Sequence, residues 1–78
     1  MTDELKQIIL SALRLKSFDL GDETVASQVP GWDSLNHINV IVAVERHFRV
    51  RFSSLEILKL ANLGDLQRLI DRKLAQRA

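Results

Sequence analysis

The amino-acid sequence predicts an all-α fold: a four-helix bundle with a long loop between helices 1 and 2 and a short third helix. Three observations predict it. Apolar residues recur at three- and four-residue steps near both ends and through the middle of the chain, the pattern of helices with one face in a core. Between Lys16 and Trp32 that periodicity stops and turn-forming residues replace it. Ser53-Ser54-Leu55-Glu56 then reads as a capping box, the start signal of a further, short helix.

The first helix is expected from about Asp3 to Leu15, with Leu5, Ile8, Ile9, Ala12 and Leu13 on one face. Thr2 can cap it, and Asp3 and Glu4 lie where the helix dipole favours negative charge. The loop that follows contains Gly21, Pro30 and Gly31 among Ser17, Asp19, Asp22, Thr24 and Ser27. Its scattered Phe18, Leu20, Val25, Val29 and Trp32 argue that it packs over the core. Pro30-Gly31 ends it, and Asp33-Ser34 supplies the cap of the second helix. There Leu35, Ile38, Ile41, Val42 and Phe48 form the expected buried stripe, widened by Val40 and Val44. Phe48 to Phe52 alternates without an evident partner strand and reads as an extended connector that buries Val50 and Phe52. The short helix reaches about Leu60. Asn62 starts the last one, with Leu66, Leu69, Ile70 and Leu74 on its stripe.

Seventy-eight residues, 46% of them apolar, suit one domain (1–78) and exclude a disordered tail. The longest apolar run, Val40 to Val44, is far short of the ~20 residues that a membrane helix needs. The acidic start, Met1 to Glu4, lacks the basic opening of a secretory signal, so a soluble, cytoplasmic monomer is expected. Charge is uneven beneath a net of +1. Residues 1–39 hold 3 Lys/Arg and 6 Asp/Glu, whereas residues 40–78 hold 8 and 4. Without cysteine there is no disulfide, thiolate nucleophile or zinc-thiolate site.

An enzyme is not expected. His37 and His47 are too far apart on one helix for a metal pair, and no glycine-rich phosphate loop is present. Ser34 and His37 are one turn apart, but a small filled bundle leaves no room for an oxyanion hole and a shaped pocket. The segment Gly31-Trp32-Asp33-Ser34-Leu35 is different. It sets a hydroxyl at a helix N-terminus, where free N–H groups and the helix dipole favour a phosphate ester. The plainer reading of Asp33 or Ser34 is a helix cap.

With Asp33-Ser34-Leu35 opening helix 2 about two-fifths along the chain, the sequence resembles the acyl carrier proteins over nearly its full length. Leu35, Ile38, Glu45 and Phe48 match the apolar positions and closing Glu and Phe of that family's second helix. Val50-Arg51-Phe52, the short third helix and the Asn62-to-Leu74 helix complete the likeness. The resemblance implies a 4′-phosphopantetheine arm on Ser34 whose terminal thiol holds acyl groups as thioesters. It further implies that Asp33 presents the serine to a phosphopantetheinyl transferase and that Leu35 packs at the helix start. Acyl-loading and acyl-transfer enzymes of fatty-acid, polyketide or related biosynthesis would be the other partners. They would dock on the polar positions Asn36, His37, Asn39 and Arg46.

The second helix departs from the acidic one of the carriers of primary fatty-acid synthesis, since Glu45 is its one acid. That implies a specialised carrier with dedicated partners for a polyketide, modified lipid or amino-acyl group. Trp32 either packs the loop onto the core or, functionally, shields the arm or lines an acyl tunnel. Ile38, Ile41, Val42, Phe52, Ile57 and Leu58 either border an acyl cavity or fill the core. The rival to a carrier is a small nucleic-acid-binding or protein-interaction domain using the Arg46–Arg51 basic segment. Against DNA, the helix from Ser54 offers one Lys and one Glu among apolar residues, with nothing to read base edges, so no nucleic-acid partner is expected.

Overall fold

The computed structural model describes residues 1–76. Four helices form: α1 (Asp3–Leu13), α2 (Ser34–Phe48), α3 (Ser54–Leu58) and α4 (Leu63–Gln76). A 3₁₀ turn at Ala26–Gln28 lies in the long loop, and no strand occurs among the described residues.

Each helix start is chemically explicit. Thr2 Oγ1 accepts the N–H of Leu5, Asp33 Oδ1 that of Asn36, and Asn62 Oδ1 that of Asp65. Ser53 and Glu56 exchange bonds in the expected capping box. Asn62 is thus the cap of α4, and Leu63 its first helical residue.

The ends of α1 and α2 share one device. Arg14 and Arg49 both adopt the left-handed conformation, with φ of 58° and 57°. The next residue donates its N–H back into the last turn, Leu15 to Leu10 O and Val50 to Glu45 O. This closure stops α1 at Leu13, two residues before the expected Leu15, and folds Leu15 against the core instead. It also corrects the connector: Phe48 is the last helical residue, Arg49 is left-handed, and the extended stretch begins at Val50. Val50 is buried and Phe52 half-buried, as expected. The short helix α3 ends at Leu58 rather than Leu60, where Leu60 N–H turns to Ile57 O.

One core joins all the long elements. Leu5, Ile9 and Leu13 of α1 meet Val40 and Val44 of α2, Leu66 and Ile70 of α4, and Leu20 and Val29 of the loop. The most extensive helix contact is between α1 and α2, which run antiparallel, so that Glu4 at the start of one pairs with His47 at the end of the other at 2.8 Å. The stripe of α4 is buried at Leu66, Leu69 and Ile70, but Leu74 is 38% exposed. Gln67, also buried, accepts both the N–H and the hydroxyl of Thr2.

The long loop is pinned to α4 by backbone. Leu63 and Gly64 donate their N–H groups to Thr24 O and Asp22 O at 2.9 and 2.8 Å. Glycine is required at 64 because a Cβ there would stand 2.9 Å from both Cβ and O of Asp22. Asp22 further receives the ammonium of Met1 at 2.6 Å. Glu56 ties the short α3 to α4: its Oε1 takes the N–H of Ser53 and the Nζ of Lys73.

Candidate functional site

The site begins with a turn that Pro30 and Gly31 favour. Trp32 N–H bonds to Val29 O at 3.2 Å, closing a turn with Pro30 and Gly31 at its centre. Proline supplies the fixed φ of the first central position, and Gly31, at φ 79°, supplies the positive φ of the second. Asn36 locks this turn to the helix by donating its amide N–H to Gly31 O at 2.7 Å. Its own side-chain oxygen accepts from Asn39 at 3.0 Å.

Asp33, rather than Ser34, is the cap of α2, with its carboxylate 2.8 Å from the Asn36 N–H. Ser34 becomes the first helical residue and is exposed. Among the described residues its hydroxyl has no hydrogen-bond partner. The N–H groups of the first helical positions have no intrahelical acceptor and stand at the positive end of the dipole. Chemically this is a nucleophilic oxygen open to an incoming enzyme, beside donors suited to the oxygens of a phosphodiester.

Behind the serine, the Trp32 indole N–H donates to His37 Nδ1 at 3.1 Å, and the ring centroids are 6.1 Å apart. An indole can only donate, so the His37 ring nitrogen accepts there. Trp32 thereby packs the loop onto the bundle. Together with His37, Ile41, Leu60, Leu63 and Leu66 it lines a small cavity of about 60 Å³. That is room for about two water molecules. No described group of three His, Cys, Asp or Glu is arranged to hold a metal ion, and no described helix is long and apolar enough to cross a membrane.

Several sequence expectations need correction here. Leu35 does not pack at the helix start; it is 71% exposed. Ile38 and Val42 are likewise outside the core, at 60% and 37%, so the buried stripe of α2 is Val40, Ile41 and Val44. Val40 and Val44 lie on the face of α2 that meets the shared core, which leaves Leu35, Ile38 and Val42 on the solvent side of the same helix. Of the six residues expected either to border a cavity or to fill the core, Ile41 alone lines the small one, and Leu58 is 79% exposed. Among the docking positions, Asn39 and Arg46 are exposed, whereas Asn36 and His37 are half-buried and occupied by the turn and by Trp32. Sequence reasoning missed that Leu35, Ile38, Val42, Leu55 and Leu58 form exposed apolar surface. The signal was present: α2 carries two apolar stripes, and one core needs only one.

A scan against models of protein families found no match. A curated relative, an acyl carrier protein of Wolinella succinogenes, is 26% identical over 69 residues, which span 88% of this chain and 91% of that protein. The solution NMR structure of a holo acyl carrier protein from Geobacter metallireducens superposes with a TM-score of 0.90 at 41% identity, covering 96% of this chain and 86% of the other. A match of this extent in both sequence and fold shows that the chain belongs to the acyl carrier protein family.

Proposed function

We propose that residues 1–78 act as one discrete carrier domain, a cytoplasmic monomer that performs no catalysis itself and is primed at Ser34. The observation that carries this reading is the free, exposed Ser34 hydroxyl at the first position of α2, with capping delegated to Asp33. A phosphopantetheinyl transferase would place 4′-phosphopantetheine on that oxygen. When bound, the group supplies the thiol that this cysteine-free chain lacks, and acyl cargo rides on it as a thioester. Asp33 holds the helix start in register, Asn36 holds the Gly31 turn beneath it, and the dipole of α2 favours the phosphodiester charge. Tethering then raises the effective concentration of cargo at each acyl-loading or acyl-transfer enzyme. The near-absence of acid on α2 favours dedicated partners in a specialised pathway over the machinery of primary fatty-acid synthesis.

Intact mass after incubation with coenzyme A and a broad-specificity transferase tests this directly. The expected result is a gain of one phosphopantetheine group on the parent chain and none on Ser34→Ala, with the variant still folded. A parent chain that gains no mass under any transferase offered would overturn the reading.

A further inference from the structure

We propose that the partner enzyme which the carrier reading docks on α2 presents Asp and Glu side chains around an apolar patch. The inference rests on the carrier reading and names the kind of partner it requires. Leu35, Ile38, Val42, Arg46 and Arg49 follow one another at three- and four-residue steps, so they form a single stripe leading away from Ser34. Its near half is bare hydrocarbon: Leu35 and Ile38 are 71% and 60% exposed. Its far half opens into a groove of about 450 Å³ lined by Val42, Glu45, Arg46, Arg49, Val50 and Arg51.

The charge of that groove is uncompensated. Among the described residues, Arg46, Arg49 and Arg51 make no ion pair; the four pairs present all lie elsewhere. Glu45, the one carboxylate in the groove, turns inward to accept the N–H of Phe52 at 3.0 Å. Arg49 also occupies a left-handed position that glycine would fill with less strain, so a guanidinium stands there against the backbone's preference. Three unpaired guanidinium groups match carboxylates in bidentate geometry and repel a basic surface. The apolar half discriminates further. A nucleic-acid backbone gains nothing from Leu35 and Ile38, and the stripe starts one residue after Ser34. Whatever covers it must also admit an arm attached there, which the mouth of an active site does and a bilayer does not.

The test is an amide NMR titration of the full chain with two amphipathic helical peptides that share one Leu stripe, flanked by Glu in one and by Lys in the other. Duplex RNA and phosphatidylserine-containing vesicles serve as competing probes. The Glu peptide should shift amides of Leu35, Ile38, Val42, Arg46, Arg49 and Arg51, and bind at least about tenfold more weakly at 0.5 M salt. In R46E/R49E/R51E the preference should pass to the Lys peptide; the milder R46Q/R51Q should only weaken Glu-peptide binding. Absence of binding by the Glu peptide, equal binding by the Lys peptide, or stronger shifts of the same amides by RNA or vesicles would overturn the proposal. Repeating the titration on Ser34→Ala separates the two claims. The same peptide preference is expected there, so failed priming would sink the carrier reading alone.

Discussion

On the side of α2 turned into the bundle, Val40, Ile41 and Val44 are between 0% and 6% exposed, while Leu35, Ile38 and Val42 on the other side are the most exposed apolar residues of the helix. The two sets are alike in chemistry and differ in what lies opposite them. Residues of α1, the folded loop and α4 cover Val40 and Val44, and Ile41 sits with Trp32, Leu63 and Leu66 around the small cavity. No described residue covers the second, which lies next to Ser34 and to three arginines without an ion pair among the described residues. Apolar surface left bare in so small a domain, where core is scarce, marks a place kept for a partner.

Stability measurements can break this comparison. The largest effect is expected from Val44→Ala, which empties a fully buried site and should cost about 2 kcal/mol in denaturant unfolding. Ile38→Ala removes more carbon from the exposed side and should change stability by less than about 0.5 kcal/mol. Equal costs would mean that the two faces are not distinct.

Asp33→Ala comes next. It deprives the Asn36 N–H of its acceptor at the junction of both faces and should cost about 1 kcal/mol. It should also slow priming at Ser34, read as the rate of mass gain, because the helix start frays. Trp32→Phe keeps one aromatic ring but removes the pyrrole half of the indole and with it the N–H to His37 Nδ1, for a loss of about 1 kcal/mol. That loss should be matched by amide shifts near His37 and Ile41 and not along Leu35, Ile38 and Val42.

The smallest effect concerns acid and should spare α2. Asp22 is held below the usual carboxylate range by its hydrogen bond to the Met1 ammonium. Glu56 is lowered by the Ser53 N–H and then by Lys73, and Asp65 by the Ala61 N–H and then by Arg68. Each folded value lies below the unfolded one. The stability they contribute is therefore complete above the ordinary carboxylate range and is lost as pH falls through the lowered values. Thermal unfolding followed against pH should thus show these contributions intact at neutral pH and decline below about pH 4. The first amides to lose protection should lie in the loop, α3 and the start of α4, before those of α2.

Local information was enough for much of this molecule. The capping box at Ser53 and Glu56, the Pro30-Gly31 turn and the Asp33 cap are interactions among residues at most five apart, so their chemistry is written in the order of the chain. The placement of Ser34 at the tip of α2 follows from them. The helix ends were less legible, because Arg14 and Arg49 stop α1 and α2 in a conformation usually signalled by glycine.

What the sequence by itself determined was the helix count, the loop and the serine at a helix start. Only the tertiary structure decided which of α2's two apolar stripes meets α1, that Glu45 turns to Phe52, and that Asn36 and His37 serve the turn rather than the surface. The physical reason is that periodicity reports the spacing of apolar side chains, while burial depends on the neighbour each stripe finds. A helix with two apolar stripes whose neighbours all pack on one side must leave the other stripe to the solvent.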